Sequence, residues 1–248
     1  MPRKYLLIRS GFVLLSVLLL GLSVLGQTGK SSVAKKRSAQ AADVIAQFSS
    51  MGEDSVALKL LRRAKAIAVF GDLKMRDAVF AKGIKGKGVF IHRSEDGGWR
   101  APTFLNFHAM KTELGFRFLL TEKLEAVFLF MDEDSFDVIT GWKKGLVTND
   151  FPKIKGKEIA LGPVIDGAGA DSVINEASVI YYTFKDKRLS GEEFPVSILG
   201  NSLRIDHDDA MNKAIYKNKY KKIPVASSIP DEMKSFYESI VKVTANVK

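Results

Sequence analysis

The stretch KGIKGKG (Lys82 to Gly88) sets three lysines among three glycines. Glycine-exposed backbone N–H groups and ammonium ends together can cradle a phosphate. The nucleotide-binding form of that device needs GxxxxGK followed by a hydroxyl residue, and neither this stretch nor GWKKG (Gly141 to Gly145) has the spacing or the hydroxyl. The segment reads as a glycine-permitted turn that leads into a strand at Val89. Between Asp77 and Glu95 it carries Lys82, Lys85, Lys87 and Arg93 and no acid. That is a local excess of positive charge suited to an anion.

Other chemistries find little support. GAGAD (Gly167 to Asp171) lacks the third glycine of a dinucleotide loop, and neither GxSxG nor HExxH occurs. His92, His108 and His207 are the three histidines, and none stands at metal-ligand spacing from another. Asp132, Glu133, Asp134 and Asp137 resemble a calcium loop only loosely, because Phe136 falls at a ligand position. Asp206, Asp208 and Asp209 precede a helical pattern. Both acidic groups read as helix N-termini, where carboxylates cap and complement the dipole. The alternative is a metal-assisted hydrolase that uses Asp132, Asp134 and His207 or Asp208. No catalytic residue, metal or cofactor is expected. The absence of cysteine excludes disulfides and thiolate chemistry.

The elements that would position these groups follow from periodicity. Ala41, Val44, Ile45 and Phe48 recur at helical spacing. A second helix, SVALKLLRRAKA, is capped by Asp54 or Ser55 and carries an apolar stripe of Val56, Leu60, Leu61, Ala64 and Ile67. Lys59, Arg62, Arg63 and Lys65 fill its other face, so it is basic and amphipathic. From Ala66 to Ile205 short apolar strands dominate: AIAVF, DAVFAK, GVFIHR, WRAPTFLNF, TELGFRFLL and EAVFLFM, with SEDGG as a hairpin turn. EDSFDVITG reads as a short helix, followed by GLVTND, EIALGPV, ASVIYYTFK and FPVSILGNSLRI. Few connections are long enough for crossover helices, which predicts an α+β fold with a mainly antiparallel, curled or barrel-like sheet. Helices flank it at both ends, the last being IPDEMKSFYESIVKV.

Charge and hydropathy divide the chain further. Arg3, Lys4 and Arg9 precede an uncharged apolar run, Gly11 to Gly26, the pattern of an export segment. An uncleaved anchor is the alternative. The expected organisation is therefore a signal segment over 1–26, a basic linker over 27–40, a domain over 41–222 and a C-terminal helix packing on it over 223–248. The formal charge of +10 is concentrated in 27–40 and 212–222, with four and five basic residues and no acid. That distribution suits an anionic membrane surface. With an export signal and no nucleic-acid-binding motif, nucleic acid is not an expected partner.

The succession LLRRAKAIAVF, GKGVFIHR and Gly-Trp-Arg-Ala-Pro (98–102) resembles the SYLF domain family of lipid-binding proteins. Leu114 to Arg117, EAVFLFM, Gly162-Pro163-Val164, Ile180 to Lys185, and Asp209, Asn212 and Tyr216 continue the likeness in order, over roughly Asp54 to Tyr216. Two departures mark a divergent relative: Leu119 stands where the family has a second glycine after Gly115, and KRLSGEEFPV (187–196) carries glutamates and a proline. The resemblance implies a barrel-like antiparallel sheet with flanking helices, no enzymatic activity, and binding to phospholipids, including phosphoinositides in eukaryotic members. Some eukaryotic members also bind actin, which an exported protein would not meet. The expectation is an exported, membrane-peripheral or membrane-anchored, periplasmic or extracellular protein of a bacterial envelope. It would contact anionic phospholipid through Lys59, Arg62, Arg63, Lys65, Lys82, Lys85 and Lys87. The alternative is an envelope scaffold that binds a protein partner through its basic tail.

Overall fold

The structure, a computed structural model, describes residues 29–78, 81–112, 121–140, 146–148, 153–154, 157–163, 177–185, 188–189, 202–217, 226 and 229–245. The apolar run at 11–26, all of the expected strand TELGFRFLL (112–120) but Thr112, GAGAD and most of KRLSGEEFPV lie outside them. Among the described residues no helix is long and apolar enough to cross a membrane.

The described residues open on helix α1, seen over residues 29–49. Residues 29–40, expected as part of a basic linker, are helical. Ala34, Ser38, Ala41, Val44, Ile45 and Phe48 form its buried stripe, spaced as a helix face requires. The stripe starts with small residues, so its first turns show charge rather than hydropathy. Helix α2 (Val56–Arg63) follows, capped by the Ser55 hydroxyl, which accepts from the Leu58 N–H.

Strands β1 (Ala66–Ala78), β2 (Ala81–His92), β3 (Thr103–Thr112) and β4 (Thr121–Phe130) then make an antiparallel system. Helix α3 (Asp137–Thr140) leads to β5 (Leu146–Thr148), β6 (Lys153–Ile154), β7 (Lys157–Leu161), β8 (Val179–Lys185), β9 (Arg188–Leu189) and β10 (Ser202–His207). Helix α4 (Asp209–Tyr216), a 3-10 turn at Asp231–Met233 and helix α5 (Lys234–Thr244) close the described chain. The sheet order is β5-β10-β3-β2-β1-β4-β8-β7-β6, with β9 on β8. Among the described residues only β7 and β8 pair in parallel. This is the expected α+β architecture, a strongly curled, mainly antiparallel sheet with helices at both ends of the chain.

The curl can be read from side chains. Phe107 on β3 and Phe128 on β4 have ring centroids 5.9 Å apart, although β2 and β1 lie between their strands. Three strand spacings in a flat sheet would separate them by about 14 Å. The face bearing Phe70, Phe90, Phe107, Phe128 and Phe130 is thus folded inward on itself. The other face receives α1, α2 and α5 on Val69, Val89, Ile91, Val127 and Tyr182.

Two strand expectations need correction. DAVFAK is not one strand: Asp77 and Ala78 end β1, and Ala81 and Lys82 begin β2. The glycine–lysine stretch is not a turn but the first half of β2. Its alternation has period two, with Ile84, Gly86 and Gly88 on the inward face and Lys85 and Lys87 on the outward one. The glycines are needed because β1 bulges between Val69 and Asp72, which brings Phe70 and Leu73 over β2. A Cβ at Gly86 would lie 2.4 Å from Leu73 Cδ2. By contrast, the Ser94–Gly98 hairpin turn forms as expected, with Gly97 at φ +82 and the Ser94 N–H donating to the Gly98 carbonyl at 2.8 Å.

Candidate functional site

The cations expected to act together occupy two separate places. At the end of α2, Lys59, Arg63 and Lys65 are exposed. Arg62 is not available to a ligand: its side chain is only 12% exposed, pairs with Glu53 at 2.6 Å and donates to the Val243 carbonyl at 3.0 Å. It ties α2 to α5. Arg93 likewise donates to the carbonyls of Arg62 and Ala64 and stacks over Trp99 at 4.2 Å. Trp99 in turn donates to the Thr244 hydroxyl at 2.9 Å. This end of the molecule uses its arginines to join elements.

The β2 lysines belong elsewhere. Lys87 is six residues before Arg93 on the same run, about 20 Å along an extended chain. Lys85 and Lys87 are exposed on the outward face; the Lys82 side chain lies outside the described part of the structure. They line a groove of about 480 Å³ between α1 and strands β1 to β3, shared with Val33, Lys36, Arg37, Gln40, Asp72, Lys74 and His108. Five cations thus face one carboxylate within the groove. Register explains part of the set, since Lys74 stands opposite Lys85 and Lys85 opposite His108.

Asp208 closes one end. It caps α4, accepting from the Met211 N–H at 3.3 Å, and accepts from Arg37 at 2.8 Å and Lys87 at 3.1 Å. Lys87 also donates to the Asn106 side-chain oxygen. Burial pushes the Asp208 carboxyl up, but the bonds and charges of Arg37 and Lys87 outweigh it and hold the carboxyl below its ordinary value. Lys74 lies 3.7 Å from Asp72. Among the described residues no carboxylate comes within 4 Å of Lys36 or Lys85. His108 is pushed below its ordinary value by partial burial and by Lys85, Lys87 and Arg204, against the pull of Asp206. It stands neutral among cations, a state that an added anion would shift towards protonation.

The acidic clusters act as caps. Asp132 accepts from the Ser135 N–H at 2.8 Å, and Asp208 caps α4. Among the described residues no group of three metal-ligating side chains is assembled.

His92 lies far from the groove, 8% exposed, stacked on Phe90 and with Nδ1 at 2.9 Å from the Arg93 carbonyl. Desolvation, opposed by that bond and helped by the charge of Arg100, lowers its pKa from 6.5 to about 4. Above pH 6.5 it is neutral both folded and unfolded, whereas below that value the unfolded chain takes up the proton first. Stability is therefore expected to fall by roughly 2 to 3 kcal/mol between pH 6.5 and 4, with His207, also lowered by burial, adding in the same direction. Urea titrations across this range should show the loss, and His92→Gln should remove most of it. An unchanged slope in the variant would contradict the assignment.

Reading the sequence singled out Lys85 and Lys87 but missed Lys74, His108, Gln40 and the clamp at Asp208, and placed Lys36 and Arg37 in a linker. No local pattern marks Lys74 or His108, because their partnership exists only through strand register. The signal for Lys36 and Arg37 was present in the small-residue stripe Ala34, Ser38 and Ala41. No family model matches the chain, and neither a curated protein nor a solved structure matches it.

Proposed function

We propose that this protein is a non-enzymatic, exported protein that binds anionic phospholipid headgroups at the groove between α1 and β1 to β3. The observation that carries the reading is the lining itself: Lys36, Arg37, Lys74, Lys85 and Lys87 against Asp72 within the groove and Asp208 at its end. Lysine ammonium groups meet phosphate as point charges, and neutral His108 adds a polar contact. The groove also has a route to a bilayer. The apolar run ends at Gly26, and α1 is described from residue 29, with Val33 and Lys36 within about 11 Å of helix rise from there. Val33, 44% exposed at the groove, offers an apolar contact beside the cations. Retained as an anchor, the run would hold the groove at the headgroup layer.

The α2 cations play a secondary part in this reading. Lys59, Arg63 and Lys65 remain a surface that long-range attraction to an anionic membrane can use, and Arg62 belongs to the fold. The test is co-sedimentation of the full chain with vesicles at low salt, comparing phosphatidylglycerol-containing with purely zwitterionic ones. Strong preference for the anionic vesicles is expected. Lys85→Ala should weaken binding about fivefold, the effect of one near-surface cation of about 1 kcal/mol, without changing thermal stability. Equal binding to both vesicle types would overturn the reading.

A further inference from the structure

The groove cations belong to a longer series. Pairing places Lys123 of β4 opposite Lys74 of β1, Lys74 opposite Lys85 of β2, Lys85 opposite His108 of β3, and His108 opposite Arg204 of β10. Directly opposed residues on paired strands share a face, and all five are exposed. With strands about 4.8 Å apart, the row runs about 19 Å measured along the curved sheet.

Helix α1 runs beside this row in the same direction. Its Arg37 reaches Asp208, next to β10; its Gln40 packs on Gly71 of β1; its Gln47 meets Glu125 of β4 at 3.4 Å. The row is thus the floor of a trench, and α1 is one wall. Like charges directly opposed in a sheet, as at Lys123/Lys74 and Lys74/Lys85, are destabilising, and the acids beside the row include Asp72 at Lys74 and Asp206 at Arg204 and His108. The arrangement costs the unliganded fold and gains from an anion that spans it.

We propose that this trench binds a soluble linear oligophosphate, laid along α1 with successive phosphates over successive strands. This goes beyond the phospholipid reading and does not rest on it. A chain whose charge repeats along its length meets cations on β4, β1, β2 and β10, with His108 between Lys85 and Arg204, whereas a lone phosphomonoester reaches only those around Lys85. An acidic peptide could not add here as a strand, because β4, β1, β2, β3 and β10 are each paired on both sides. Single-stranded nucleic acid is held by aromatic platforms as well as charge, and the groove lining includes no phenylalanine, tyrosine or tryptophan.

Calorimetric titration of the full chain with tripolyphosphate, and with orthophosphate at matched ionic strength, tests the proposal. Tripolyphosphate is expected to bind at least tenfold tighter. Lys123→Ala and Arg204→Ala, outside the groove proper, should each weaken it three- to fivefold and leave vesicle binding unchanged, while Lys59→Ala should leave tripolyphosphate binding unchanged. Orthophosphate binding as tightly as tripolyphosphate, or equal losses with Lys59→Ala and Lys123→Ala, would overturn it. So would a hexaglutamate peptide or a short single-stranded DNA binding as tightly as tripolyphosphate, since the trench would then not select phosphate chains. Vesicle binding is read separately, so loss of the lipid reading leaves this result interpretable.

Discussion

Gly88→Val is expected to destabilise the fold by roughly 3 kcal/mol or more, at the upper end of the cost of overpacking a filled interior. A Cβ at this position would lie 2.4 Å from Cδ1 of Phe70 and 2.5 Å from the Val69 carbonyl oxygen. The carbonyl belongs to backbone beside the β1 bulge and cannot swing aside. Phe70 is fully buried and held edge-on by Phe107 and Phe128, so its ring has nowhere to go. Were Lys82 to Gly88 a surface turn, valine there would cost little. The substitution therefore reports on strand phase, and with it on which lysines face the groove. Chemical denaturation showing a loss under 1 kcal/mol would mean that Gly88 does not face the interior and that Lys85 and Lys87 are misplaced.

Asp208→Ala is expected to cost roughly 3 to 4 kcal/mol, from breaking a largely buried ion pair and removing a helix cap. Arg37 is left 16% exposed with its partner gone, and α4 loses the carboxylate bonded to the Met211 N–H. Asp208→Asn separates the two contributions. Asparagine keeps the cap but not the charge, so the loss should be smaller, while the released Arg37 and Lys87 raise affinity for anionic vesicles. Since the Asp208 carboxyl is held below its ordinary 3.8, its stabilisation is complete above that value and disappears as pH falls through the lower folded value. Acid destabilisation should thus come in two stages, His92 between pH 6.5 and 4 and Asp208 below it. Loss of the lower stage in Asp208→Asn, with the upper stage intact, is the expected signature. Unchanged stability in Asp208→Ala would show that α1 is not clamped there.

What the sequence made legible was what local chemistry decides. Ser55 and Asp208 cap helices because a short oxygen side chain reaches the next turn's N–H wherever a helix starts. The curled antiparallel sheet followed from apolar strands joined by short connections. The glycine–lysine stretch was misread because glycine marks a turn in one dimension. Only the approach of Phe70 and Leu73 from the neighbouring strand shows that Gly86 and Gly88 are absences of side chain. Residues 29–40 were misread because charge at Lys30, Lys35, Lys36 and Arg37 masks a stripe of small buried residues. Arg62 shared its helical face with Lys59 and Arg63, and periodicity cannot say which cation the fold recruits. Lys74, Lys85 and His108 converge through register alone, which no spacing along the chain reveals.

The central claim is that anionic phospholipid is bound at the α1–β2 groove rather than at the end of α2. The direct test compares the full chain with Lys74→Glu/Lys85→Glu and with Lys59→Glu/Lys65→Glu in co-sedimentation with anionic vesicles at low salt. The groove variant is expected to lose more than tenfold in affinity at unchanged melting temperature, and the helix variant severalfold less. Equal losses in the two, or a larger loss in the helix variant, would contradict the assignment.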